Sequence, residues 1–487
     1  MLPIVLIHGY SAEGKDRPAA DIYGTLPDDL RARFGPDIVV EINLSRWISL
    51  SDGIGIDDIS LAMERALRSE AHCDLLDTGF HVVIHSTGAL VVRNWLRMFE
   101  EERKPSPIAN LVHLAGANLG SGLAHVGQGE LIRWGRQVFQ GVESGVRVLD
   151  ALEFGASKTL DLHLHFLQKG HRLFEDFEVQ EFCAIGSVPL KLAWVVPVRY
   201  VKEDSSDGVV RTSACNLNLN HIRIEPTPEA EALSPDEVAE EVKKRREDQR
   251  VSTAWYRIDR SGMADERRQI PFAVLVNTTH TGGDQAIVTG EKARPAVLKR
   301  LEEALTLDHD AEAYRGIVSD WEAVTQKTKA GIAKREGQSA FWSLHRQYEA
   351  HAQLVIRIRD QFGADVKVHD IRFKSGGETG DTRLEQMIED MHINRLSPGT
   401  RTYYLRIEHY DKDSKTWIDR MANVAPLQLE ISGGEPQSDD IDYLPLNVQF
   451  RTTHLQRMIQ SYRTTLVDVT LLRLPSDKVF AIETAED

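Results

Sequence analysis

Residues 81–91 constrain the fold of this chain more than any other stretch. They read His-Val-Val-Ile-His-Ser-Thr-Gly-Ala-Leu-Val, so an apolar, β-branched run ends abruptly at Ser86, and a helical pattern follows at residues 90–96. A strand, a sharp turn and a helix around a serine form the context of a nucleophile elbow, which exposes the hydroxyl and directs backbone N–H groups at a forming oxyanion. The stretch predicts that Ser86 is a nucleophile; the alternative is an ordinary helix N-cap serine.

Predicted strands alternate with predicted helices around this turn. The strands cover residues 4–7, 37–42, 80–84, 111–114, 182–185, 195–200 and 272–276, and the helices cover residues 27–33, 57–69 and 292–336. This alternation predicts a doubly wound, mostly parallel sheet. Together with the elbow, it predicts an α/β-hydrolase fold.

In that fold an acid and then a histidine follow the nucleophile in the chain. A hydroxyl nucleophile needs the imidazole as its base and the carboxylate to orient that base. The predicted strand around residues 198–201 leads into a loop with three carboxylates. Asp207 is the predicted acid, because Gly208 and two valines follow it where the chain turns back. Asp204 and Glu203 are its rivals.

The predicted base is His280. It lies in the segment Asn-Thr-Thr-His-Thr-Gly-Gly, directly after the strand predicted at residues 272–276. Of the 18 histidines in the chain, this one alone follows a late strand and precedes a helical segment, where the fold places its base. His221, His171 and His125 are the alternatives.

The oxyanion requires two donors, and we expect both to be backbone N–H groups. One is that of Thr87, directly after the nucleophile, and the other is that of Tyr10, in the loop after the first strand. The usual elbow has glycine two residues before the serine, whereas this chain has Ile84. We expect the small residues Gly88 and Ala89 on the following helix to leave room for it.

Composition excludes several classes of function. A formal net charge of −16 disfavours binding to nucleic acid or to an anionic membrane through bulk electrostatics. The three cysteines (Cys73, Cys183 and Cys215) are scattered without metal-ligand spacing and are expected to be free, buried thiols in a reducing compartment. The first residues lack the basic region of a signal peptide, and no run of about 18 apolar residues occurs. We expect cytoplasmic synthesis, no metal or other cofactor and no nucleic-acid partner.

The sequence pattern changes towards the C-terminus. Residues 1–340 are predicted to form the catalytic domain. Residues 225–269 are predicted to be a charged insert on its surface; alternatively, this insert is a lid or a subunit contact. Within that insert, Ser234 and Glu237 predict a helix start. Residues 116–160 are either a cap over the site or ordinary helical packing. Residues 341–487 are predicted to form a β-sandwich-like domain, with strands at residues 354–359, 366–373, 403–408, 427–431, 448–452, 466–474 and 478–482.

Several segments together resemble the PlaB-type bacterial phospholipases. Ile84-His85-Ser86-Thr87-Gly88 is similar to their atypical Thr-His-Ser-Thr-Gly elbow, and residues 5–10 are similar to their first strand and oxyanion loop. Residues 114–124 resemble the segment after the next strand, residues 207–218 the acid loop, and His280-Thr281-Gly282 the base loop. These motifs are specific in combination and span about residues 4–283.

The resemblance implies phospholipase A and lysophospholipase A activity, with Ser86, Asp207 and His280 as the triad and phospholipid as the substrate. It also implies peripheral membrane association without a signal peptide, a C-terminal domain needed for activity, and homo-oligomers up to tetramers. The chain departs from the family at Ile84 and Ala89, and its segment between the acid and the base is longer. The alternatives are a soluble carboxylesterase or neutral-lipid lipase, and a catalytically silent lipid-binding scaffold with a hydrolase fold.

Overall fold

The computed structural model describes most of the chain. It covers residues 1–8, 20–48, 52–125, 145–188, 203–234, 236–238, 240, 255–335, 344–378, 380–436, 438 and 440–475. The predicted strands at residues 195–200 and 478–482 lie outside the described residues, as does the middle of the predicted cap. The chain divides into two compact units: unit 1 comprises Met1–Asn218, Arg268–Ala350 and Tyr410–Trp417, and unit 2 comprises Leu219–Arg267, His351–His409 and Ile418–Asp487.

The described strands and helices are as follows. The strands are β1 (Ile4–His8), β2 (Val39–Asn43), β3 (Phe80–His85), β4 (Ile108–Leu114), β5 (Gln180–Gly186), β6 (Asn220–Pro226), β7 (Tyr256–Gly262), β8 (Phe272–Leu275), β9 (His351–Asp360), β10 (Val368–Ser375), β11 (Ile388–Ile393), β12 (Thr400–Arg406), β13 (Glu408–Asp411), β14 (Thr416–Asp419), β15 (Leu427–Gly434), β16 (Ile441–Tyr443), β17 (Leu446–Phe450), β18 (Thr464–Leu471) and β19 (Arg473–Pro475). The α-helices are Ala20–Tyr23, Leu26–Phe34, Ile56–Leu67, Asp74–Thr78, Gly88–Met98, Val146–Leu152, Ser157–His165, Leu173–Asp176, Thr212–Cys215, Pro228–Glu231, Arg294–Leu305, Ala311–Arg335 and Thr452–Met458. No described helix combines the length and the apolar character needed to cross a membrane.

Unit 1 is built on a six-stranded sheet in the order β2-β1-β3-β4-β5-β8. Every neighbouring pair of its strands runs parallel. Its central strands are continuous apolar runs because both faces are covered, and Val82, Val83 and Ile84 are fully buried. The order of the strands reverses between β1 and β3, the kind of position where open α/β sheets bind ligands. The predicted parallel α/β sheet is confirmed.

The helix Gly88–Met98 fixes the turn at the end of β3. Its residues from Ala89 to Leu96 are buried, so this helix is covered nearly all round. Trp95 is fully buried and donates its indole N–H to Glu64 at 2.6 Å, which satisfies the one polar atom of that ring. Such packing makes the helix a rigid base for the residues that precede it.

Unit 2 contains a mixed six-stranded sheet in the order β11-β12-β9-β18-β6-β7 and a three-stranded antiparallel sheet in the order β10-β15-β17. Strand β18 pairs in parallel with both β9 and β6, and the other pairs of the large sheet are antiparallel. The prediction of additional β-sheets in the C-terminal region is confirmed, although the large sheet also includes β6 and β7 from an earlier part of the chain.

The structure corrects the prediction that residues 225–269 are a surface insert of the catalytic domain. Strands β6 and β7 frame this segment and belong to the large sheet of unit 2, so the boundary expected at residue 340 does not separate the two units. Alternate residues of β6 are buried, including Ile222 and Ile224. The hydrogen bonds of the predicted helix start do form: Ser234 N–H donates to Glu237 Oε2 at 2.9 Å, and Glu237 N–H donates to Ser234 Oγ at 3.4 Å.

A charged cluster ties three strands of the large sheet together. Arg357 on β9 donates to both carboxylate oxygens of Asp468 on β18, at 2.6 and 2.8 Å. His221 on β6 lies with its Nε2 2.9 Å from the same carboxylate. Burial opposes ionisation of Asp468, but the bonds from His221 and Arg357 outweigh it and lower the pKa of Asp468 to about 2.

Candidate active site

The elbow predicted at Ser86 is present at the end of β3. Ser86 has a φ of 53°, in the left-handed region that few non-glycine residues occupy. Hydrogen bonds to the end of the next strand hold it there: Ser86 N–H donates to Leu114 O at 3.3 Å, and Ala117 N–H donates to Ser86 O at 3.2 Å. This strained turn presents the half-buried side chain of Ser86 beyond the sheet.

Ile84 fits at the elbow because the helix that faces it begins with glycine. A Cβ at Gly88 would lie 3.3 Å from the Cβ of Ile84 and 3.6 Å from its Cγ2, so little space remains for a side chain there. Gly116 provides the same relief beside Ala89, whose Cβ would lie 3.2 Å from a Cβ at that glycine. Gly88 therefore leaves room for Ile84, and Gly116 leaves room for Ala89.

The loop that carries His280 follows β8 and is fixed closely against the end of β5. A Cβ at Gly186 would overlap the carbonyl group of Thr278 and would lie 3.0 Å from the Thr278 Cβ. Two further hydrogen bonds close the loop on itself: Thr279 N–H donates to Gln285 O and Ile287 N–H donates to Thr279 O, both at 2.9 Å. His280 is thus placed by a close backbone approach that only glycine permits at residue 186.

Hydrogen bonds fix both the carboxylate and the backbone of Asp207, whose N–H donates to Val210 O at 3.2 Å. Its Oδ1 accepts the N–H groups of Val209 at 3.0 Å and Val210 at 2.8 Å. Its Oδ2 lies 2.8 Å from His280 Nδ1, and its carbonyl oxygen accepts the N–H of His280 at 3.0 Å. The turn after Asp207 passes through Gly208 with a φ of 94°, which explains the glycine there.

The structure brings the three predicted residues into one hydrogen-bonded chain. His280 Nε2 lies 3.1 Å from Ser86 Oγ, while its Nδ1 faces Asp207. Asp207 and His280 are fully buried, whereas Ser86 is half-buried. With the proton of His280 on Nδ1, Nε2 accepts the hydroxyl hydrogen of Ser86. This arrangement can remove that proton as the oxygen attacks, and it can stabilise the imidazolium that results.

Of the two predicted oxyanion donors, the structure places one. Thr87 follows Ser86 directly, and its N–H lies at the N-terminus of the helix Gly88–Met98, where the helix dipole favours negative charge. Tyr10 lies outside the described residues.

The rival carboxylates and histidines have other partners. Glu203 forms an ion pair with Arg211 at 2.6 Å, and Asp204 forms one with Arg346 at 3.3 Å. His171 lies 2.6 Å from Glu100, and the side chain of His125 lies outside the described residues. His221 belongs to the cluster around Asp468 in unit 2.

The sequence analysis did not single out His85, the residue before Ser86. Its ring centroid lies 4.6 Å from that of His280, and its Nε2 is buried with no hydrogen-bond partner among the described residues. Burial, and then the neighbouring His280, lower the pKa of His85 well below its usual range, so the ring is neutral. A neutral ring beside the base shields one side of it from water. The alternation of side chains along β3 was the only signal for this position.

All three cysteines are free thiols, as predicted, but the expectation that all of them are buried is wrong for Cys73. Cys73 is exposed, whereas Cys183 and Cys215 are buried. Burial, and then the contact with Cys183, raise the pKa of the Cys215 thiol well above its usual range. The buried Cys215 thiol is therefore protonated.

Comparison with known proteins places the fold. No protein-family model and no curated protein sequence matches the chain. Among solved structures, it is similar to the phospholipase PlaB from Legionella pneumophila, with 21% sequence identity and a TM-score of 0.76 over 100% of this chain and 96% of that one. The complex of PlaB with thio-NAD gives 20% identity and a TM-score of 0.75 over 100% and 97% of the two chains. The chain therefore has an α/β-hydrolase fold with additional sheets, and over its full length this fold is that of the PlaB phospholipase, as the resemblance between their motifs predicted.

Proposed function

We propose that this chain is a serine hydrolase that cleaves the acyl esters of phospholipids and lysophospholipids. The observation that supports it most directly is the continuous contact from Asp207 through His280 to Ser86, at 2.8 and 3.1 Å. The shared fold with a phospholipase, over the whole chain, supports a lipid ester as the substrate class.

In the proposed mechanism, His280 takes the proton of Ser86 as its oxygen attacks the ester carbonyl. Asp207 holds the imidazole in the required tautomer and stabilises its charged form. The N–H groups of Thr87 and Tyr10 bind the oxyanion. Such hydrogen bonds stabilise the developing negative charge most strongly in a site that contains little water. Collapse of the tetrahedral intermediate releases the alcohol, protonated by His280, and leaves an acyl-enzyme on Ser86. Water, activated by the same histidine, then releases the fatty acid.

The substitution Ser86→Ala tests this mechanism. It removes the nucleophile, so the rate of phospholipid hydrolysis should fall by at least about 10⁴-fold. Ser69→Ala is the matched control, because the Ser69 hydroxyl only donates to Ala66 O at the end of another helix. Full lipolytic activity in the Ser86 variant would exclude the mechanism.

Two further measurements separate this proposal from its alternatives. Covalent labelling of Ser86 by an organophosphonate distinguishes an active serine from a silent lipid-binding scaffold, which would not react. Initial rates on phospholipid, lysophospholipid, monoacylglycerol and short p-nitrophenyl esters distinguish a phospholipase from a carboxylesterase or a neutral-lipid lipase. Preference for the two phospholipid classes is the expected result.

Peripheral membrane association and homo-oligomerisation are part of the same proposal. The resemblance to the PlaB-type family supports both. Cosedimentation with phospholipid vesicles and light scattering of the purified chain test them separately from activity.

A further inference from the structure

We propose that Glu100, His165 and His171 form a binding site for a divalent transition-metal ion, with zinc as the expected occupant. One ligand atom from each of these side chains lies within 4.8 Å of the others. Two imidazole nitrogens and a carboxylate are a donor set that zinc uses readily, with water as a fourth ligand. Nothing in the proposed hydrolysis uses these residues.

The local structure explains why three residues so far apart in sequence meet. Glu100 lies two residues after the helix Gly88–Met98 ends, and His165 is the last residue of the helix Ser157–His165. Gly170 has a φ of 88°, a left-handed turn that sends the chain back and brings His171 to the same place. The site therefore joins the far end of the nucleophile helix to the turn after a second helix.

The distances are close to what a metal ion requires. His165 Nε2 lies 2.8 Å from Glu100 Oε2, and His171 Nδ1 lies 2.6 Å from Glu100 Oε1. The centroids of the two imidazole rings are 4.4 Å apart. A tetrahedral zinc ion with bonds of about 2.0–2.2 Å needs ligand atoms roughly 3.4 Å apart. Small side-chain rotations are enough to seat the ion between them.

The three side chains are accessible as well as convergent. Glu100, His165 and His171 are all half-buried, so an ion can enter from solvent while the stems stay packed. The cluster is also separate from Ser86, because the 11-residue helix between them spans about 16 Å. A metal ion here would act on the stability of unit 1 and not on the reacting atoms.

Of two cations near the cluster, Lys104 contacts its carboxylate and Arg97 does not. The Nζ of Lys104 lies 3.3 Å from Glu100 Oε1 and also donates to Gly170 O. Arg97 is directed elsewhere, since it donates to Asn94 Oδ1 at 2.9 Å. Lys104 therefore competes directly with a metal ion for the carboxylate, and removing its charge should tighten metal binding.

The test is titration of the purified full chain, first treated with a chelator, with Zn²⁺ in a calorimeter. The wild-type chain should bind one equivalent that His165→Ala and His171→Ala each lose. Lys104→Ala should bind the ion at least about threefold more tightly. His72→Ala, a half-buried histidine outside the cluster, is the matched control and should bind as the wild type does.

Two further readouts keep the test decisive if a variant folds poorly. Saturating Zn²⁺ should raise the thermal midpoint of the wild-type chain by about 2–4 °C and leave that of the double variant His165→Ala/His171→Ala unchanged. Crystals soaked in Zn²⁺ should show an anomalous peak between the three side chains. The proposal is wrong if the wild-type chain binds no Zn²⁺, or if the double variant binds it equally well. Neither result depends on hydrolytic activity.

Discussion

Substitution of Gly186 by alanine should disable the proposed active site without touching any residue of the triad. Its new Cβ would overlap the backbone carbonyl group of Thr278, two residues before His280. Normal contact between a carbon and a carbonyl oxygen is roughly 3.3 Å, so the Thr278 carbonyl has to move by more than about 1 Å. Because this group belongs to the backbone, no change of rotamer can relieve the overlap.

That displacement should lengthen the contact between His280 and Ser86. The contact between His280 Nε2 and Ser86 Oγ is 3.1 Å, so a shift of about 1 Å takes it beyond hydrogen-bonding reach. Misplacement on this scale costs about 10²-fold in rate, which corresponds to about 2.7 kcal/mol of transition-state stabilisation. Overpacking should also reduce the free energy of unfolding, by about 1–3 kcal/mol.

Two assays on the same preparation measure these effects: initial rates of ester hydrolysis, and the rate at which an organophosphonate labels Ser86. Gly316→Ala is the matched control, because it lies in the helix Ala311–Arg335 and its Cβ would have no neighbour within 4 Å. A folded Gly186 variant with wild-type rates in both assays would refute the idea that this glycine positions the base loop.

Three further substitutions test other parts of the structure. Asp207→Asn should lower kcat by about 10⁴-fold. The amide oxygen would accept the two backbone N–H groups, so the NH₂ group would face His280 and force it into the wrong tautomer. A loss below tenfold would contradict this. Asp468 has a folded pKa near 2, below its usual value, so its contribution of about 2 kcal/mol is present above about pH 4 and lost as pH falls through 2. Urea unfolding of Asp468→Asn should therefore depend less on pH in that window than the wild type. Gly88→Val should destabilise the chain by about 1–3 kcal/mol, and because its side chain would meet Ile84, the double variant Gly88→Val/Ile84→Ala should lose less stability in thermal melts than the sum of the two single variants.

The parallel sheet and the three residues that meet in it could be predicted because their signals are local. A β-branched run that stops at a serine, a carboxylate before a glycine turn and a histidine after a late strand are each visible within ten residues. Their order along the chain then indicates the fold, because the α/β-hydrolase fold has its nucleophile, its acid and its histidine in this order. Close contacts between segments distant in sequence, such as the approach of Gly186 to Thr278, are visible only in the structure.

The assignment of residues 225–269 failed for the opposite reason. The alternation of Ile222 and Ile224 in β6 indicates a strand, but its parallel neighbour β18 lies more than two hundred residues later. Nothing local distinguishes such a pairing from a surface hairpin. The meeting of Glu100, His165 and His171 is hidden in the same way, because it depends on where two helices end.

The interleaving of unit 2 along the chain also determines when it can form during synthesis. Strand β6 leaves the ribosome more than two hundred residues before β18, its parallel neighbour. Until β18 has been synthesised, the edge of β6 that pairs with it has no partner strand. Any shortened version that stops near residue 340 keeps β6 and β7 but lacks the rest of their sheet. Such a fragment would display an unpaired edge and would be prone to aggregate, so a clean deletion of this unit must also excise Leu219–Arg267.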